Sequence, residues 1–155
     1  MNQRDFEKYY NMFFDDLFRY VLTIVKNEED TKDILQETFI KLFKSNDVFA
    51  SDQHVKSWLL KVSRNASTNI FRHWYTNKRI EVTDFSSFQS DLNDDHKVLQ
   101  EVFDLPLKYR QVIYLHYYEG YSIKEVSNLL NKNESTIKTQ LSRARERLKG
   151  VLNNE

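Results

Sequence analysis

The chain has 155 residues, 40% of them hydrophobic and 14% aromatic, enough for one ordinary core or two small ones and too apolar for a disordered chain. Its 23 cations and 23 anions cancel, so any nucleic-acid role must rest on how charge is distributed. Without cysteine there is no disulfide frame or thiolate metal site, no apolar run of about eighteen residues offers a membrane span, and the start MNQRDFEKYY lacks a secretion signal's apolar stretch. A cytoplasmic protein without membrane insertion is expected.

The elements read as helices in chain order, with no strand pattern, and the expected fold is all-α. Between residues 5 and 26, Phe6, Tyr10, Phe13, Leu17, Tyr20 and Ile24 recur at steps of three and four, marking one long amphipathic helix. Asn27 can cap a second helix, whose first turn carries Glu28, Glu29 and Asp30 at the positive end of the dipole. Ile34, Leu35, Phe39 and Leu42 would bury one side of it, leaving Asp33, Gln36, Glu37 and Lys41 on another. Residues 45–53 read as a loop. In the third helix, Val55, Trp58, Leu59, Val62, Ala66 and Ile70 share one side, opposite Lys61, Arg64, Asn65, Thr68 and Arg72. A basic stripe interleaved with amides and hydroxyls, followed by Phe71, Trp74 and Tyr75, suits tracking a phosphate backbone and stacking bases, with Trp58 assigned to the core.

Residues 76–95 have no sustained period and read as a flexible linker between two small helical domains, 1–75 and 96–155. Charge changes sign across it. Residues 54–80 carry six cations and no acid, whereas residues 81–104 carry seven acids against Lys97. Val98, Leu99, Val102 and Phe103 open the second core, joined by Leu107, Val112, Ile113 and Leu115. Pro106 fits the first turn of a helix that Gly120 ends.

The last stretch has helix-turn-helix grammar. Ser122 and Glu125 form a capping-box pair before Ile123, Val126 and Leu130, and Asn131 suits a left-handed stop. Asn133 or Ser135 can cap the second helix, whose apolar line Ile137, Leu141, Ala144 and Leu148 runs to a predicted end at Gly150. The opposite side carries Lys138, Thr139, Ser142 and Arg143, with Arg145, Arg147 and Lys149 following. Over residues 135–149, five cations against Glu146 alone leave +4. Cations among short hydroxyls suit a DNA major groove, where they meet phosphates and guanine edges. Enzyme signatures are missing: there is no phosphate loop, no nucleophile elbow and no cysteine, and the four histidines are too scattered for a ligand pair. Catalysis, a metal and a cofactor are not expected.

The stretch YSIKEVSNLLNKNESTIKTQLSRARERLK resembles the C-terminal domain of sigma-70 family factors of bacterial RNA polymerase, in particular the small extracytoplasmic-function (ECF) group, and LPLKYRQVIYLHYYEG resembles that domain's lead-in helix. DTKDILQETFIKLF resembles the family's polymerase-binding helix, which implies a docking role for Asp33, Gln36, Glu37 and Phe39. WLLKVSRNASTNIFR resembles the element that reads and melts the downstream promoter element, which implies roles for Lys61, Arg64, Asn65, Asn69 and Arg72. Two positions depart from the family: Ser135 stands where a glycine is frequent, and Asn69 where many members have an acid. The resemblance implies core RNA polymerase and promoter DNA as partners, with Lys138, Thr139, Ser142 and Arg143 on the upstream element. It also implies an anti-sigma factor that holds the protein inactive. Two alternatives follow from the residues alone: a helix-turn-helix regulator acting as a dimer without polymerase, and a helical interaction protein with no DNA role.

Overall fold

A computed structural model describes the backbone of residues 1–76 and 96–153 and the side chains of residues 1–73 and 100–150. Every regular element among them is helical, and the chain divides into two units, Met1–Thr83 and Asp84–Glu155. The predicted linker, from residue 77 to 95, lies outside the described residues, as do the side chains of Trp74, Tyr75, Val98 and Leu99.

In the first unit, α1 (Gln3–Val25) opens where the Asn2 side chain accepts the Asp5 N–H at 2.8 Å. It stops at Lys26, whose left-handed backbone (φ 57°) directs its N–H to the Leu22 carbonyl. Asn27 then caps α2 (Glu28–Lys44) by accepting the Asp30 N–H at 2.9 Å, and acids in the first turn with Lys41 and Lys44 in the last complement the dipole. After a short loop, the Ser51 hydroxyl accepts the His54 N–H as α3 (Asp52–Thr76) begins. Each of the three helices packs on the other two, burying Leu17, Tyr20 and Ile24 of α1, Ile34, Leu35 and Leu42 of α2, and Val55, Leu59 and Leu60 of α3.

The buried seam of α3 differs from the predicted line. Beyond Leu60 it runs through Ser63 and Ser67, both fully buried, while Trp58, Val62, Ala66 and Ile70 are only half-buried. The serines fit because each hydroxyl donates to a carbonyl of its own helix, Leu60 at 3.2 Å and Ser63 at 2.6 Å. Small, internally satisfied side chains therefore occupy the seam where apolar periodicity alone places larger ones. Trp58 instead packs edge-on against Phe49.

In the second unit, α4 (His96–Asp104) turns at Leu105 and Pro106 into α5 (Leu107–Ile113), which continues as a π turn over Tyr114–Tyr118. Arg110 pins the elbow. Its guanidinium is buried and donates to the carbonyls of Phe103 (3.2 Å) and Leu105 (3.1 Å), tying the end of α4 to α5. Burial pulls its pKa down to about 10, and Asp104 opposes the shift. Gly120 at φ 77° makes the turn a side chain would resist, after which Ser122 begins α6 (Ile123–Leu130). Asn131, left-handed at φ 54°, ends α6, and α7 (Glu134–Asn153) follows directly on Asn133. α7 passes through Gly150 without ending there, contrary to the sequence expectation. A glycine in a helix costs only about 1 kcal/mol, which a helix already about four turns past its start absorbs.

Candidate nucleic-acid and protein interfaces

The helix-turn-helix is built by local hydrogen bonds. The Ser122 hydroxyl accepts the Glu125 N–H and the Glu125 carboxylate accepts the Ser122 N–H, both at 3.1 Å, closing the predicted capping box. At the other end, the N–H groups of Asn131 and Lys132 both reach the Ser127 carbonyl, and the Ser127 hydroxyl donates to the Lys132 carbonyl. The three-residue turn is thus held without a glycine. Val126, Leu129 and Leu130 of α6 and Ile137, Leu141 and Ala144 of α7 are buried, which fixes the rotation of α7. Lys138, Thr139, Ser142 and Arg143 are all exposed on its outward side, as predicted from spacing.

Residues that the sequence reading passed over flank this surface. Lys108 and Tyr109 of α5 line a groove of about 260 Å³ with Ser135, Thr136, Thr139, Gln140 and Arg143. The Tyr109 ring is buried between the ammonium of Lys108 (5.1 Å from the centroid) and the guanidinium of Arg147 (4.8 Å). Burial pushes the Tyr109 phenol up, but a hydrogen bond with Arg143 and the charges of Lys108, Arg143 and Arg147 outweigh it, leaving its pKa below the ordinary 10.0. Across the helix, Arg145 donates Nε–H to the Tyr117 hydroxyl and lies 5.3 Å from that ring's centroid.

On α3, Lys61, Asn65, Asn69 and Arg72 are exposed at helical steps, and Arg64 and Thr68 lie beside them half-buried, so one face carries all the predicted residues. Lys56, part of the same cationic tract, is instead paired with Asp16 of α1 at 3.2 Å.

Asp33, Gln36 and Glu37 are exposed together on α2. Phe39 is not with them: at 3% exposure it is a core residue, its ring against those of Phe6, Tyr10 and Phe14 at 4.9–6.3 Å. It forms the floor of a groove of about 410 Å³ between α1 and α2, lined by Phe6, Tyr10, Phe14, Leu35 and Ile40, with Lys32 and Gln36 at the rim. Tyr10, Ile40 and Phe43 leave apolar surface exposed around it. The signal was present in the sequence as aromatics at positions 6, 10 and 14, but a regular apolar stripe reads as core before it reads as a groove. Among the described residues, no group of three or more His, Asp or Glu side chains is placed to hold a metal ion, and no helix is long and apolar enough to cross a membrane.

Comparison with known proteins bears on both units. The family profile of Sigma-70 region 2 matches residues 9–75 and that of Sigma-70, region 4, residues 98–148. The chain is 32% identical over 157 residues to the ECF RNA polymerase sigma factor SigM of Bacillus subtilis (strain 168), a match covering 95% of this chain and 94% of that protein. This protein belongs to the sigma-70 family. A second relative, the RNA polymerase sigma factor SigV of the same organism, is 30% identical over 146 residues, covering 90% of this chain and 86% of the relative. The fold is shared with the sigma factor RpoE of Bartonella quintana, solved in complex with the anti-sigma factor NepR (TM-score 0.79, 22% identity, 97% of this chain and 98% of that one). It is shared also with CnrH, solved with the cytosolic domain of CnrY (TM-score 0.72, 22% identity, 99% and 91%). The chain is therefore an ECF sigma factor that directs promoter-specific initiation of transcription, and sigma factors act by binding DNA and polymerase, not by catalysis. Region 2 falls on α1–α3 and region 4 on α4–α7. Relatives that match through both units favour this function over an autonomous dimeric regulator.

Proposed function

We propose that the two units of this sigma factor divide the work of initiation by residue as follows. In the first domain, the exposed Asp33, Gln36 and Glu37 and the adjoining aromatic groove dock on core RNA polymerase, with Phe39 supporting the groove from beneath. The face of α3 carrying Lys61, Arg64, Asn65, Asn69 and Arg72 engages the downstream promoter element. In the second domain, α7 enters the major groove of the upstream element and presents Lys138, Thr139, Ser142 and Arg143 to base edges and phosphates. A linker after α3 joins the two. The observation that carries this reading is the pairing, on one chain, of a capped helix-turn-helix with an apolar groove rimmed by Lys32 and Gln36, next to the exposed Asp33 and Glu37 of α2. By likeness to structures solved with anti-sigma proteins, an anti-sigma factor is proposed as a further partner, and the cytoplasm as the place of action.

Reconstitution tests the assignment. The purified chain is mixed with core polymerase and transcription is measured from a pool of promoter fragments. Arg143→Ala should cost about 1–3 kcal/mol of promoter affinity and relax the choice of base at one position. Asp33→Lys with Glu37→Lys should weaken binding to core polymerase while leaving duplex binding by the free chain intact. Tight binding to palindromic duplexes as a dimer, with no polymerase complex, would refute the reading.

A further inference from the structure

The two arginines that follow the base-facing residues of α7 are each seated on a tyrosine from outside that helix. Arg145 lies 5.3 Å from the Tyr117 centroid with its Nε–H on the hydroxyl, and Arg147 lies 4.8 Å from the Tyr109 centroid. Two residues apart on an α-helix is about 200° around the axis, so the pair points to opposite flanks. The burial of Ile137, Leu141 and Ala144 sets the inward side, which puts Thr139 and Ser142 outward and the two arginines at the sides. A helix with side chains is about 10–12 Å across and a major groove about 12 Å wide. A helix seated outward-face-first therefore fills the groove, and its flanks meet the phosphate strands that form the walls.

We infer that Arg145 and Arg147 are a pair of phosphate clamps, one for each strand of the upstream element, and that Tyr117 and Tyr109 are the positioning residues that hold them ready. This rests on the reading of α7 as the DNA-entering helix. The chemistry suits the task. A guanidinium stacked on a ring keeps its terminal N–H groups at the edge, where they can take a phosphate in bidentate fashion, and the ring has already removed rotamer freedom that binding would otherwise cost. The π turn gives Tyr117 its direction. Ile113, four residues earlier, is buried whereas Tyr117 is about half exposed, so the wider turn breaks the face an α-helix would have continued.

The test uses the full chain, a mixed-sequence 20-base-pair duplex as probe, and the slope of log affinity against log salt concentration. Each phosphate contact contributes about 0.9 to that slope. Arg145→Gln and Arg147→Gln should each make it shallower by about 0.9. Tyr117→Leu removes no charge and lies at an exposed site, yet it should shift the slope in the same direction, and the shift should vanish in an Arg145→Gln background. Thermal melting of each variant confirms folding. If both arginine variants keep the wild-type slope while Lys138→Gln makes it shallower, the clamp is wrong and the outward face stands. If none of the three changes the slope, the placement of α7 on DNA fails and the clamp with it. A wild-type slope in Tyr117→Leu overturns the positioning role.

Discussion

Removing the Arg110 side chain separates the two units energetically. Its guanidinium serves the carbonyls of Phe103 and Leu105, and each acceptor left without a partner inside the unit costs about 1–3 kcal/mol, roughly 4 kcal/mol together. Against this stands relief from burying a cation. The fall of the pKa to about 10 from the ordinary arginine range corresponds to about 3 kcal/mol at 1.36 kcal/mol per unit, which Arg110→Met recovers while keeping most of the volume. Arg110→Met should therefore cost the second unit only about 1 kcal/mol. Arg110→Ala adds a cavity worth about 2 kcal/mol more, for a total of roughly 3 kcal/mol, a large share of a small domain's about 5–15 kcal/mol. Both tryptophans, Trp58 and Trp74, belong to the first unit, so their fluorescence reports that unit alone while far-ultraviolet circular dichroism reports both. In urea, Arg110→Ala should move a dichroism transition to lower denaturant and leave the tryptophan transition in place. A dichroism curve indistinguishable from wild type, or an equal shift in both probes, refutes the account of Arg110 as the local pin of the α4–α5 elbow.

Ser122→Ala removes one side of the capping box and should cost the second unit about 1 kcal/mol by urea titration, with Glu125→Ala less damaging in the Ser122→Ala background than alone. Ile40→Lys places a charge on the rim of the α1–α2 groove at an exposed site. It should leave the tryptophan melting curve unchanged but weaken binding to core polymerase about tenfold or more, the loss of roughly 1.5–3 kcal/mol of buried side chain. For Tyr109, a folded pKa below the unfolded 10.0 means that the unfolded state holds the phenolic proton to higher pH, so stability from this group grows as pH rises towards 10.0. Wild type should gain on Tyr109→Phe over that window in parallel melts, and a constant difference would contradict the Arg143 contact.

Much of the second unit was legible because its geometry is set by neighbours in sequence. Ser122 with Glu125, the left-handed Asn131 and the apolar pairs of α6 and α7 each encode a turn or a face within a few residues, and the structure has them where spacing put them. The cap at Asn27 is of the same local kind. What the sequence hid depends on partners far along the chain. Ser63 and Ser67 enter the core because α1 and α2 approach α3 closely, Phe39 is covered by rings from α1, and Arg110 is buried by the elbow it bonds. Arg145 and Arg147 look solvated in sequence, and only the placement of Tyr117 and Tyr109 shows that they are held.

The zero net charge follows from this division of surfaces. A chain with 23 cations and 23 anions has no monopole to draw it to DNA, and at physiological salt the field of its +4 reading helix fades over about 8 Å. α7 therefore attracts phosphates only once it is nearly in place. Non-specific affinity, which grows with every phosphate neutralised, stays low for such a chain, and the free protein is not spread over the genome. Delivery has to come from a contact that salt does not screen, and the aromatic groove between α1 and α2 is of that kind, since its attraction scales with apolar area. On the proposed assignment, the α3 face and α7, once docked on polymerase, act at high effective concentration on one promoter, so that modest individual contacts combine. On that assignment, raising the charge of α7 would tighten binding everywhere and erode that order of events, which gives Glu146 among its cations and the short hydroxyls of Thr139 and Ser142 a part beside Arg143.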